Sequence, residues 1–563
     1  MNFLHALLFF CSTALNSWND IFTLPNNHIM KFNILLKQQN IDRLENELIM
    51  RSDPTSGIYN KWLTQSEIDN IIKPINYLPL NKWLQLNNVV VKNNTDNLEC
   101  SAPVSTIFSL FDVSINRGTD VIFSLPSYLE PHIDMVLGFN DNYDRSFFSP
   151  SVRTFTDGDS IITPESINVL YNITGKTFST KSSQSVVEFL NDNCYNNDDL
   201  QQFLNDSNLP NNSVSNKNFW GKCSVNTSNP DIEATLDIQY QTAINVHSDL
   251  YYISVSDWLY QFSNFIYRSK NPPNVISMSY GWAEWDQCDP QVFPTCLINV
   301  NSEEYAKRTN IEFIKLGLRG ITLVASSGDA GAPGRTNEQC SSSDNVLNPS
   351  FPASSPWVLS VGGTILLNAT AIKNPISPLC KNNSCIGSGT ELNCNFDRCG
   401  WTSGGGFSSY FNRPSWQVNA SLNYLNNTGI FPPEKYFNKE GRIYPDISLV
   451  AHNYFINTPD GYQNVDGTSA SAPSISAMIA ILNNLRLSKG QPSLGPVGPL
   501  LYNMAVNCKN CFKDISIGSN NSTEFGECEW GYQAVDGFDA VYGLGVPNFN
   551  EIYKYVDNLT FTR

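Results

Sequence analysis

Residues 464 to 482, NVDGTSASAPSISAMIAIL, set Ser469 in a turn of small residues that runs directly into an apolar stretch of helical length. A serine displayed there is placed as a nucleophile, and the helix start adds partial positive charge beside any oxyanion that forms. Such a serine needs a base. The five histidines, His5, His28, His132, His247 and His452, lie in no His-Gly motif of the kind that supplies an imidazole. Carboxylates are the alternative. In PDIEATLDIQYQTAI, Leu236, Tyr240 and Ile244 recur at four-residue spacing, which predicts a helix, and Glu233 and Asp237 stand four apart on one of its faces. Stacked carboxylates can share a proton, which raises one pKa and makes a usable base in acid. Without that role the pair is a commonplace solvated face, at a cost of a few tenths of a kcal/mol to the helix. A third acid, Asp329, follows the strand-like ITLVASSGD on a loop. Protonated, it would donate a hydrogen bond to an oxyanion; otherwise it is an ordinary Gly-Asp turn.

The elements that must hold these groups follow from composition and pattern. A chain of 563 residues with 41% apolar and 12% aromatic content can bury one large core and one smaller one. Its formal charge of -17 excludes a nucleic-acid binder, since no Lys/Arg cluster exists to neutralise phosphates. An acidic surface suits an acidic compartment. Gly, Asp, Ser and Pro form a seam at residues 155–166. Before it, from about residue 29 to 150, helical and strand-like stretches such as IDRLENELIM and PLNKWLQL read as a small α+β domain. Beyond it, runs such as NVISMSYG and GITLVASSGDAG alternate with helical segments. That alternation predicts a doubly wound, mostly parallel sheet with its site at the strands' carboxyl ends.

Residues 1–17, MNFLHALLFFCSTALNS, read as a secretory signal, too short to span a bilayer; a buried helix is the plainer alternative. No other apolar run has membrane length, so no membrane partner is expected. Sequons at Asn172, Asn205, Asn226, Asn368, Asn419 and Asn558 agree with export. Of the 14 cysteines, Cys11 lies in the signal and Cys100 stands alone, leaving an even set from Cys194 onward that fits disulfides. The C-x4-C spacings between Cys380 and Cys399 differ from zinc knuckles and no histidine joins them, so this stretch reads as a disulfide-pinned loop.

Together these residues resemble the sedolisin family of serine-carboxyl peptidases, whose Gly-Thr-Ser-Ala-Ser hallmark is similar to Gly467 to Ser471. EATLD resembles the family's Glu-x-x-x-Asp and SSGDAG its oxyanion loop, while FPASSPWVLSVGGT, SGGGFS and GRIYPDISLVA look like framework segments in the same order. Within the family the likeness is greatest to the lysosomal tripeptidyl peptidase. The resemblance implies a subtilisin-like α/β fold preceded by a small α+β propeptide domain. It implies a signal at 1–17, a propeptide at 18–159 that inhibits and assists folding, and a catalytic domain at 160–563. It makes Ser469 the nucleophile, Glu233 the general base, Asp237 the acid that tunes Glu233, and Asp329 the oxyanion stabiliser.

FKDISIG and AVDGFDAVYGLGVPNF are similar to the family's calcium loops, which implies one Ca2+ on Asp514 and Asp539 carboxylates and the carbonyls of Ile515, Val535 and Gly537. Standing alone these are two surface aspartates in Gly-rich loops. The implied function is release of tripeptides from free N-termini by a monomer in the lysosomal lumen, or after secretion. The rivals are a sedolisin-like endopeptidase and a secreted glycoprotein that keeps the fold for binding. Three features depart from the family pattern: Asp466 before Gly467, the Cys380 to Cys399 insertion, and the unpaired Cys100. Asp466 is also the candidate partner for a substrate's ammonium group.

Overall fold

A computed structural model of the chain describes residues 24–112, 114–115, 121–122, 124–138, 151–153, 160–173, 181–189, 194–288, 296–297, 300–335, 346–427 and 430–559. The expected signal at 1–17 lies outside them. The chain divides into two compact units, one of residues 1–45, 65–143 and 285–308, the other of 46–64, 144–284 and 309–563.

In the first unit, β1 (Ile29–Leu36), β2 (Val90–Asn93), β3 (Asn97–Pro103) and β4 (Ile133–Gly138) form an antiparallel sheet in the order β4-β1-β3-β2. The short strand Cys296–Leu297, drawn from far along the sequence, adds to the free side of β4. Met30, Phe32 and Ile34 alternate inward from β1, as a strand with one buried face must. They meet Leu80 and Leu84 of helix α1 (Leu78–Leu86) and Val104 and Ile107 of α2 (Val104–Leu110), giving the α+β domain that the sequence predicts. Cys100 is free and buried in this core, where desolvation pushes its thiol up to about 12.

The second unit is built on an eight-stranded sheet, and a strand β5 (Ser151–Arg153) lies apart from it. Its members are β6 (Ser183–Glu188), β7 (Phe219–Trp220), β8 (Asp249–Ser254), β9 (Val275–Met278), β10 (Thr322–Ser326), β11 (Leu359–Ala371), β12 (Ile386–Asn393) and β13 (Ile447–Val450). The order is β7-β8-β6-β9-β10-β11-β12, with β13 also on β11. All pairings are parallel except β11 with β12. Chain order reverses at β6, whose neighbours are β8 and β9, so this is a doubly wound sheet with a switch point. The hairpin of β14 (Tyr454–Thr458) and β15 (Gly461–Asp466) takes β5 on its open edge, pairing Asp466 with Ser151.

Two helices of this unit are buried on every side. In α3 (Ile232–Ile244) all residues from Glu233 to Ile244 are buried, and in α4 (Thr468–Ser488) all from Thr468 to Arg486. The small and apolar residues around α4 suit a helix inside a large core, whereas α3 also buries Glu233, Asp237, Gln239 and Gln241 and so must supply them with partners or protons. Disulfides join Cys194–Cys223, Cys380–Cys385, Cys394–Cys399 and Cys508–Cys511, so the cysteine-rich loop is pinned by two short bridges.

The far edge of the sheet is tied by a buried ion pair. Asp446 accepts from Arg442 Nη2 at 2.5 Å, from Ser360 N at 2.9 Å and from Tyr502 Oη at 3.1 Å. Removing one member of such a pair strands the other charge, which typically costs about 3–5 kcal/mol. Asp446→Ala should lower unfolding stability in urea by that amount, and a loss under about 1 kcal/mol would show that the pair is not holding this edge.

Candidate active site

The structure brings Ser469, Glu233, Asp237 and Asp329 into one place at the carboxyl ends of the parallel strands. Glu233 sits in the first turn of α3, which Asp231 caps by accepting from Glu233 N at 2.8 Å and Ala234 N at 3.3 Å. Asp237 follows one turn later. Both side chains are about fully buried, at 1% and 0% exposure. Burial first, and then repulsion from Asp237, pushes the Glu233 carboxyl well above the usual carboxylate range. Asp237 is raised by burial too, partly offset by a hydrogen bond from Ser279. Glu233 Oε1 and Asp237 Oδ2 are buried oxygens with no heavy-atom hydrogen-bond partner.

Ser469 is the second residue of α4 and is 5% exposed. Its hydroxyl donates to the Ser279 carbonyl at 3.3 Å and lies near enough to the Glu233 carboxyl to draw its pKa down. Gly467, at φ 132°, makes the turn before it, a conformation that L side chains rarely adopt. Asp329, three residues past the end of β10, caps the same turn: its Oδ1 accepts from Thr468 N at 2.8 Å and Thr468 Oγ1 at 2.7 Å. Its Oδ2 faces Gly467, where an added Cβ would come within 3.1 Å.

Three residues of the site escaped the sequence reading. Ser279, just past β9, sets its hydroxyl 2.8 Å from Asp237 Oδ1 and 3.3 Å from the Ser469 carbonyl. Glu188, the last residue of β6, is buried, accepts from Tyr280 Oη at 2.7 Å and adds to the repulsion on Glu233. His452 bonds Asp466, with Nδ1 2.8 Å from Oδ2. The only available signal was position at a strand's carboxyl end, which many residues share. The expectation that Asp466 receives a substrate's ammonium needs correction. It is 0% exposed, and its oxygens are turned to His452 and to the Asn453 N–H at 2.7 Å.

The chain is 37% identical to physarolisin of Physarum polycephalum over 549 residues, covering 93% of each sequence. It belongs to the sedolisin family of serine-carboxyl peptidases. Tripeptidyl-peptidase 1 of Rattus norvegicus is 29% identical, with 93% of this chain and 91% of that protein covered. Residues 16–142 match the pro-kumamolisin activation domain and residues 241–496 the subtilase family. Pseudomonas sedolisin, a serine-carboxyl proteinase, superposes with a TM-score of 0.51 at 22% identity, over 71% of this chain and 99% of that one, which shows the shared fold. This sedolisin is therefore a serine peptidase with a subtilisin-like domain behind an activation domain.

The two expected calcium carboxylates, Asp514 and Asp539, lie near each other. Asp514 accepts from Ile515 N at 2.8 Å and Gly537 N at 2.7 Å, and Asp539 from Val535 N at 3.1 Å and from Val541 and Tyr542 N at 2.8 Å. Burial pushes Asp539 up to about 8, and Asp514 adds repulsion. Two adjacent carboxylates, one of them fully buried, suit a hard divalent cation. By contrast, Cys394, Cys399 and His452 cluster within 4.8 Å, but the two sulfurs form a disulfide and offer no thiolate.

Buried acids make stability depend on pH. Asp257 is pushed up to about 6 and Glu284 to about 7, both by burial, and Glu233 and Asp237 are raised as well. A raised carboxyl binds its proton more tightly folded than unfolded, so its contribution is complete below the unfolded values near 4 and is lost as pH rises through the folded ones. Tm should therefore be highest near pH 4 and fall between about pH 5 and 7. Scanning calorimetry across that range would refute the assignment if Tm rose instead.

Proposed function

We propose that this sedolisin is an acid exopeptidase that releases tripeptides from the free N-terminus of peptides through a Ser469-Glu233-Asp237 triad. The observation that carries the acid mechanism is the buried Glu233–Asp237 pair, raised by desolvation and set beside Ser469, which draws the Glu233 pKa down. Ser469 attacks the scissile carbonyl as Glu233 takes its proton, and Asp237 orients Glu233 and carries the charge it leaves uncovered. Asp329, protonated, donates to the oxyanion beside the N-terminus of α4. The acyl-enzyme is then hydrolysed by water. Glu233 deprotonated and Asp329 protonated are wanted together, so the reaction runs below neutrality.

Residues 1–17 are the export signal, 18–159 an inhibitory pro-region and 160–563 the mature enzyme. Pairing of β5 with β15 supports inhibition, because it covers a strand edge that ends three residues before Ser469. The sequon asparagines 172, 205, 226, 368, 419 and 558 are all exposed, as glycosylation in the secretory route requires. No described helix is long and apolar enough to cross a membrane. The destination is the lysosomal lumen, where the acid window is met.

Tripeptide release is supported by the likeness to tripeptidyl-peptidase 1, 91% of which is covered; the second reading is an endopeptidase with the same chemistry, since the more identical relative, physarolisin, carries no tripeptidyl activity in its name. Acetylating the N-terminus of a good substrate should cut kcat/KM at least tenfold, about 1.4 kcal/mol of transition-state binding. Equal rates on free and acetylated peptides would select the endopeptidase, and activity surviving Ser469→Ala would remove the serine mechanism altogether.

One Ca2+ is held by Asp514 and Asp539 with the Ile515, Val535 and Gly537 carbonyls, and it stabilises the fold by binding only the native state. EDTA and Asp539→Ala should each lower Tm by several degrees, and EDTA should add nothing to the variant. An unchanged Tm in both would dismiss the ion.

A further inference from the structure

The turn that carries Ser469 is entered through Gly467, whose backbone freedom must be removed before the serine can be aimed. One side is held by Asp329, through Thr468 N and Oγ1. The other is held by the stretch 451–453. Gly467 N donates to the Ala451 carbonyl at 3.0 Å, Asn453 N donates to Asp466 Oδ1 at 2.7 Å, and His452 Nδ1 lies 2.8 Å from Asp466 Oδ2. A carboxylate offers only lone pairs, so Nδ1 carries the hydrogen.

The imidazole is itself fixed. One of its ring nitrogens lies within 4.8 Å of the sulfurs of the Cys394–Cys399 disulfide, and that disulfide packs with Trp401 and Ala451 in a small buried cluster. Ala451, Trp401 and Thr468 all converge on Gly363, where an added Cβ would lie 2.8, 2.9 and 3.3 Å from their nearest atoms. The cysteine-rich loop thus backs His452, His452 locks the Asp466 side chain, and Asp466 adjoins the glycine of the nucleophile's turn.

From this geometry we infer that His452, acting through Asp466, is a positioning residue for Ser469. It touches no reacting atom. Catalysis needs the hydroxyl held to a fraction of an ångström, so a loosened turn lowers turnover before it lowers binding. The inference rests on Ser469 being the nucleophile.

The two ring nitrogens are distinguishable by substitution, because an asparagine amide nitrogen occupies the place of Nδ1 and a glutamine amide nitrogen that of Nε2. His452→Asn should keep kcat within threefold of the parent. His452→Gln and His452→Leu should lose at least tenfold in kcat with KM within twofold. Both a free tripeptide amide and an N-blocked, internally quenched peptide would be assayed at acid pH, with Tm measured for each variant. The effect must appear on both substrates, whereas failure of the exopeptidase reading would show in the parent enzyme as comparable rates on the two and loss of the serine mechanism would show in Ser469→Ala. Equal kcat in the Asn and Gln variants, parent-like kcat in the Leu variant, or a change in KM alone would overturn the inference.

Discussion

Keeping two carboxyl groups dry on one turn of a helix is the constraint on which the rest of this sedolisin depends. Glu233 and Asp237 are stacked, buried and remote from any balancing cation among the groups that act on them. Two ionised carboxylates in that position would repel strongly and each would forfeit its hydration, so the pair retains a proton. That requirement sets the environment in which the enzyme works. In the proposed mechanism it also explains why no imidazole is used as the base: in acid an imidazole is already protonated, whereas a desolvated carboxyl with a raised pKa can still trade protons with a serine.

The surrounding fold supplies the donors that make the arrangement tolerable. Parallel strands end together, so Glu188 at the end of β6, Ser279 after β9 and Asp329 after β10 reach the same space from different points of the chain. Ser279 has a second duty. Pro473 inside α4 lacks the N–H that would bond the Ser469 carbonyl four residues back, and the Ser279 hydroxyl lies 3.3 Å from that carbonyl. The proline therefore leaves an acceptor open at the nucleophile, and a neighbouring strand end answers it.

What could be read from the sequence follows how local each signal is. Ser469 at a helix start, the Glu233–Asp237 spacing and the alternation of strands with helices are encoded within a few residues of one another, and the structure places each as expected. Ser279 and His452 act across contacts 42 and 14 residues apart, and nothing in their own neighbourhoods marks them. Asp466 was misread for the same reason. Closeness to Ser469 along the chain suggested a group facing substrate, but a residue three positions before a nucleophile ends a strand, and its side chain turned inward to the adjacent stretch. The strand Cys296–Leu297 in the sheet of the first unit was equally hidden, since edge pairing across 158 residues leaves no pattern in either segment.

A chain with formal charge -17 would be expected to keep its carboxylates in water, yet several of the most buried side chains here are acids. Glu284 sits at 0% exposure and accepts from Ser408 Oγ at 2.5 Å and Ser409 N at 2.7 Å, while Glu391 accepts from Tyr171 Oη at 2.8 Å. Their partners are hydroxyls and backbone amides. Hydroxyls can donate to a carboxylate or accept from a carboxylic acid, so these acids keep hydrogen bonds in either protonation state. A buried lysine or arginine would insist on the ionised form. Cores built this way are matched to the active site: both are at ease when the carboxyl groups hold protons, and the fold and the chemistry come to favour the same acidic medium for one reason, the cost of a bare carboxylate out of water.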